Sequence, residues 1–198
     1  MESIKQFISR SLALPLRVLI AATVLSLVLQ TIAQSVLNIF YARSQYPVAY
    51  FVGQTSFDAE KLEDWYQVMD EAGTIGVYWQ TQFVDFAFIA ATALLHYWLL
   101  LLITRLLPVG RWRRIGLAAV VIGLLAPAFD VLENLVSFIA LSNTTEILPV
   151  TAIVYSSFAS LKFLSFFAVY LWVPVGVVAA AVLRIRRRNS SPAPTFTT

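Results

Sequence analysis

The stretch Phe129-Asp-Val-Leu-Glu-Asn-Leu-Val-Ser-Phe138 sets an aspartate, a glutamate and an asparagine into a run otherwise apolar enough to cross a membrane. Asp130, Glu133, Asn134 and Ser137 follow i, i+3, i+4, i+7 spacing, so on a helix they share one face. Two carboxyl groups one turn apart in a poor dielectric can differ in proton affinity and so serve as a general acid and base. Asp130 and Glu133 are therefore the candidate catalytic residues. Tyr78, Gln82, Asp85 and Thr92, with His96 off the strict spacing, make a second polar stripe, and Tyr155, Phe158, Lys162 and Ser165 a third. The candidate ligand-binding set is Asp85, Asp130, Glu133, Asn134, Lys162, Gln82, Tyr78 and Asn38. Three carboxylates could hold an oxygen-preferring cation, but the lysine among them competes for the same oxygens, so no metal and no cofactor is expected. With no cysteine, thiol chemistry and thiolate metal sites are excluded. No G-x-S-x-G, H-E-x-x-H or P-loop is present.

These residues need elements to hold them, and the composition says which. Hydrophobic residues make up 59% of the 198 and charged ones 13%, with a mean hydropathy of +0.77. A soluble domain carries about twice that charge fraction, which points to an integral membrane protein. Four apolar segments, roughly 18–40, 82–103, 115–141 and 150–183, each reach the about 20 helical residues that a hydrocarbon core requires. The expected fold is an all-α four-helix membrane bundle forming one domain over 1–188, with a disordered tail at 189–198. Arginines and lysines collect before the first span, between the second and third, and after the fourth. By the positive-inside rule both termini are cytoplasmic, and the plasma membrane is the expected location.

The loop between the first two spans carries Asp58, Glu60, Glu63, Asp64, Asp70 and Glu71 against Arg43 and Lys61, which suits the outer side. The formal charge of +3 thus hides a basic inner face and an acidic outer one. Within the loop a short amphipathic helix is expected over about 56–71, capped by Thr55 or Ser56 and stopped at Gly73. Its apolar side, Phe57, Leu62, Trp65, Tyr66 and Met69, should lie on the outer interface or over the mouth of the bundle. Ile4, Phe7, Ile8 and Leu12 give the N-terminus an apolar helical face before Pro15 opens the first span, which is expected to be retained and not cleaved as a signal peptide. The arginines after the fourth span favour anionic headgroups, and no nucleic-acid partner is expected of them.

Depth sharpens the picture. At a rise of about 1.5 Å per residue, Asp130 and Glu133 stand roughly 24 and 28 Å above Arg114, Asp85 roughly 30 Å above Arg105, and Lys162 roughly 33 Å above Arg184. Thr31, Gln34, Ser35 and Asn38 of the first span reach the same layer. A charge at mid-span costs about 2.5–3.5 kcal/mol on the insertion scale, so these groups should face inward and find partners. Pro127 cannot donate to the Gly123 carbonyl, which predicts a kink or an exposed carbonyl just below Asp130. His96 is expected to make a hydrogen-bonded helix contact.

The succession Gly73…Tyr78…Gln82-Phe-Val-Asp85-Phe, then Asp130-Val-Leu-Glu133-Asn134, then Ser160-Leu-Lys162 resembles a widespread group of small four-span bacterial membrane proteins. The resemblance covers about 46–170 and implies a shared site formed by an Asp in the second span, D-x-x-E-N in the third and a Lys in the fourth. It implies no particular chemistry, and Thr74 stands where many members carry an arginine. At a greater distance the architecture is similar to the EXPERA group, whose helices surround a carboxylate-bearing pocket for sterols or other amphiphiles; no site residue carries over from it. The expected function is binding of a membrane lipid or another amphiphilic small molecule in an outer-leaflet pocket. An isomerase-like lipid enzyme, a proton-coupled transporter, and a structural subunit with an oligomeric or protein partner stay open beside it.

Overall fold

A computed structural model describes residues 2–189. The fold is all-helical: α1 (Glu2–Ala13), α2 (Leu16–Ser44), α3 (Tyr50–Gln54), α4 (Ala59–Glu71), α5 (Ile75–Leu106), α6 (Arg111–Ser142) and α7 (Pro149–Asn189). The tail expected at 189–198 lies outside the described residues except for Asn189, which ends α7. Helices α2, α5, α6 and α7 are each long and apolar enough to cross a membrane, so the chain has the build of a multi-pass membrane protein. All four run past the expected apolar limits, because a helix does not stop where hydrophobicity does. Helices α2 and α5 continue until turn residues stop them. Pro15 precedes α2, Gln45 in the left-handed region (φ 55°) ends it, and Pro108 follows α5.

Helix α6 packs closely on both α5 and α7, which meet each other only slightly, and these three form the core; α2 packs as extensively on α5 but has no comparable packing on α6 or α7. A cleft therefore runs between α2 and α7 with α5 at its back. Small residues bring the helices close. A Cβ on Gly123 of α6 would overlap the end of the Leu100 side chain and touch His96 of α5, so an added methyl must displace Leu100 for that crossing to persist. The Gly123 carbonyl, left without its intrahelical donor by Pro127, is taken by His96 Nδ1 at 2.8 Å. A carbonyl only accepts, so His96 carries a proton on Nδ1. The sequence left a kink and an exposed carbonyl as alternatives. The carbonyl is free of the α6 backbone as the second alternative has it, and a side-chain donor from the neighbouring helix takes it.

The loop helix α4 lies across the end of the bundle opposite the arginine-rich one. Leu62, Tyr66 and Met69 on its inner side are fully buried and pack with Tyr78, Ala140, Leu141, Ile147, Ala152 and Tyr155. Each buried large side chain contributes about 1.5–3 kcal/mol, more than a 13-residue helix gains from its own propensity. Glu63 accepts a hydrogen bond from the Ile147 N–H, tying α4 to the turn before α7. The N-cap is Asp58, not Thr55 or Ser56. Phe57 sits at φ 55° with its N–H donated to Ser156 Oγ of α7 at 3.0 Å, which turns the chain and delays the helix by two to three residues. Phe57 consequently leaves the apolar face of α4 and is exposed. The Asp58 carboxylate accepts from the Lys61 N–H. The Lys61 ammonium beside it, with that amide, holds its carboxyl below the ordinary value. At the other end Gly73, at φ 70°, forms a Schellman cap: its N–H bonds to the Asp70 carbonyl and the Thr74 N–H to that of Met69.

At the basic end, α1 docks on α5. Phe7 stacks on Tyr97 at 5.7 Å, and the Tyr97 hydroxyl donates to Ser11 Oγ at 2.7 Å. Arg113 of α6 donates to the Leu107 carbonyl, closing the C-terminus of α5.

Candidate functional site

The three core helices bring Asp85 (α5), Asp130, Glu133 and Asn134 (α6) and Lys162 (α7) into one buried layer, none more than 5% exposed. Lys162 Nζ donates to Asp130 Oδ1 at 3.0 Å, to Glu133 Oε2, and to Gln54 Oε1 of α3 at 3.2 Å. An ammonium has three N–H groups, and all three are used. Asn134 Nδ2 donates separately to Asp85 Oδ2 at 2.6 Å. Two clusters result, joined through α6: a lysine between two carboxylates, and an amide on a third. The set is not fully satisfied. Glu133 Oε1 and Gln82 Nε2 are buried without a hydrogen-bond partner among the described residues. An orphaned polar group in low dielectric costs about 1–3 kcal/mol.

Beside this layer the cleft between α2 and α7 opens into a cavity of about 190 Å³. From α2 it receives Gln34, Asn38 and Tyr41; from α3, Tyr50 and Gln54; from α5, Asp85 and Phe88. Asp130 contributes from α6, and Lys162, Phe163, Phe166 and Tyr170 from α7. At about 30 Å³ per water the volume matches roughly six waters, or one small polar head. A second cavity of about 320 Å³ adjoins it, sharing Gln34, Phe88 and Tyr170. Leu95, Leu99, Val169 and Val173 give this lower groove apolar walls, with Gln30, Thr92 and His96 as its polar points. The cleft below the charged layer is thus less uniformly apolar than the hydropathy of its helices suggests.

Of the eight predicted ligand-binding residues, Asn38, Asp85, Asp130 and Lys162 line the upper cavity. Glu133, Asn134 and Gln82 stand behind it in the helix interfaces. Tyr78 is the centre of an aromatic cluster under α4, stacked on Tyr46 at 5.1 Å and meeting Tyr66 at 5.8 Å and Tyr41 at 6.3 Å. In the loop part of this cluster, burial pushes the Tyr46 and Tyr66 phenols above their ordinary value, so both stay neutral. Thr74 donates its hydroxyl to the Ser44 carbonyl at 2.6 Å and holds the end of α2 against the start of α5.

Sequence reasoning missed Gln54, Tyr41, Tyr50 and the wall Phe88, Phe163, Phe166 and Tyr170. A five-residue helix has no periodicity to read, and aromatic residues on a membrane helix look alike whether they face lipid or a cleft. Gln54 had one signal: an uncharged polar residue directly after Gly53 in the apolar stretch Tyr-Phe-Val-Gly-Gln. Among the described residues no cluster of histidines and carboxylates is arranged to hold a metal ion. No family model, curated protein or solved structure matches the chain, and the functional reading therefore rests on this geometry.

Proposed function

We propose that this protein binds a lipid or another amphiphile in the cleft between α2 and α7, the polar head at the charged layer and the tail in the groove below. The observation that carries this reading is the adjacency of the two cavities, which share Gln34, Phe88 and Tyr170: a head-sized space with charged and polar groups beside a larger one walled by Leu95, Leu99, Val169 and Val173. The protein sits in the bacterial plasma membrane with both termini cytoplasmic, as the basic residues at one end of the bundle and the acidic α4 at the other favour. The site is the one implied by the resemblance to the small four-span bacterial group. Glu133 and Asn134 shape it from behind; Asp85 and Asp130 meet the ligand. Catalysis by Asp130 and Glu133 is less favoured, because Glu133 is fully buried and lines neither cavity.

Lipid extracted from protein purified in a mild detergent, compared with the bulk membrane by mass spectrometry, tests the binding. One species should be enriched and should be depleted in Val169→Trp, which fills the lower groove. A profile identical to the bulk lipid in both samples refutes the reading. Because the chain has no cysteine, single cysteines at Gln67 and Val109 report sidedness directly. Labelling of both by an impermeant reagent from the same side refutes the topology.

A further inference from the structure

We propose that the head group this cavity accepts is a positively charged amine, an alkylammonium or a quaternary ammonium. The inference rests on the amphiphile reading above and adds the ligand's charge class. It starts from what the site has left to offer. Lys162 has no N–H to spare, since Asp130, Glu133 and Gln54 take all three. An anionic head would therefore meet no free ammonium, and it would meet two carboxylates. Asp85 and Asp130, 5% and 2% exposed, both line the cavity. Asp85 Oδ2 is held by Asn134 and Asp130 Oδ1 by Lys162; the second oxygen of each has no donor among the described residues. The cavity thus presents unpaired acceptors at its floor. Its walls are aromatic: Tyr41 and Tyr50 on the α2 and α3 side, Phe163, Phe166 and Tyr170 on α7. Carboxylate oxygens within an aromatic enclosure are the chemistry that recognises an ammonium, through charge and through the negative faces of the rings. The formal balance agrees, because three carboxylates share one lysine and an amine head brings a further positive charge. A zwitterionic phosphoamine lipid carries the same amine.

The test uses the full chain in a non-ionic detergent and native mass spectrometry. Three twelve-carbon probes are added at equal concentration: dodecyltrimethylammonium, monolauroylglycerol and lauroyl-lysophosphatidylglycerol. The expected result is one retained copy of the ammonium probe at about tenfold the occupancy of the other two. Asp85→Asn should lower that occupancy about tenfold. Tyr50→Leu, at a half-exposed position on the short α3, should lower it about threefold. Equal or higher occupancy by the glycerol or phosphoglycerol probe, sensitive to Val169→Trp, overturns the amine assignment and leaves the amphiphile reading standing. Retention of no probe overturns both. Ammonium binding indifferent to Asp85→Asn and to Tyr50→Leu overturns the assignment to this cavity. Displacement of the probe by tetramethylammonium at the probe's own concentration makes the ligand a soluble amine and overturns the lipid source.

Discussion

Replacing Lys162 with methionine keeps the length and the packing of the side chain and deletes its charge. Asp130 and Glu133, 2% and 0% exposed, then face each other across one helical turn with no counter-ion, and Gln54 Oε1 loses its donor. Breaking a buried pair from one side costs about 3–5 kcal/mol. For a chain of this length each kcal/mol moves the unfolding midpoint by about 2–4 °C, so the variant should melt roughly 6–20 °C lower. Removing the whole charge set tells a different story. The triple variant Lys162→Met, Asp130→Asn, Glu133→Gln leaves neutral amides that can bond to one another, and it should return to within about 1–2 kcal/mol of the original chain. Circular dichroism at 222 nm during titration of mixed micelles with a denaturing detergent gives the free energies of all three proteins. A loss below about 1 kcal/mol in the single variant, or a triple variant less stable than the single one, would show that the ammonium does not neutralise this layer.

His96→Leu should cost about 1–2 kcal/mol by stranding the Gly123 carbonyl, and Pro127→Ala, which restores a backbone donor, should recover part of it; a double-mutant cycle without coupling refutes that exchange. Gly123→Ala should destabilise by about 1–3 kcal/mol, because its methyl meets Leu100 and His96; a variant as stable as the original chain on the same titration shows that the crossing can widen. Glu63→Ala should speed amide exchange over residues 59–71 and at Ile147 while the four spans keep theirs, as mass spectrometry of deuterium uptake would register. Asp58 supplies a pH dependence of known sign. Its folded-state pKa lies below the unfolded value of 3.8, so its contribution to α4 is complete above that value and is lost as pH falls through the lower folded-state one. Exchange at the Lys61 amide, corrected for the intrinsic pH dependence, should accelerate over that acid range in the original chain and show no such step in Asp58→Asn.

The polar layer was legible in the sequence because membrane helices obey two strong rules at once. Charge in a span is costly, and a helical repeat fixes which charges share a face. Those rules placed Asp85, Asp130, Glu133, Asn134 and Lys162 at one depth without reference to any tertiary contact. They could not say that Lys162 spends its third N–H on Gln54, because that depends on a loop folding back onto a span 108 residues later. The free Gly123 carbonyl was visible from Pro127 alone, and His96 as its donor was not. A lone histidine on a helix has many potential partners, and only the register of α5 against α6 selects one. The start of α4 failed for a related reason. Thr55, Ser56 and Asp58 are all good caps by chemistry, and the choice among them was made by the Phe57 amide bonding to Ser156 on α7.

The packing of α2 against α5 alone has a consequence for how the site exchanges its contents. Helix α3 covers the cleft at its charged end, and in the membrane placement proposed above the gap between α2 and α7 opens toward the acyl chains. A guest that reaches it sideways never leaves the bilayer, and its occupancy follows its mole fraction among the surrounding lipids. Affinity quoted per molar of bulk water would then rise or fall with the amount of lipid in the sample. Saturation curves taken at different lipid-to-protein ratios should superimpose only when plotted against membrane composition.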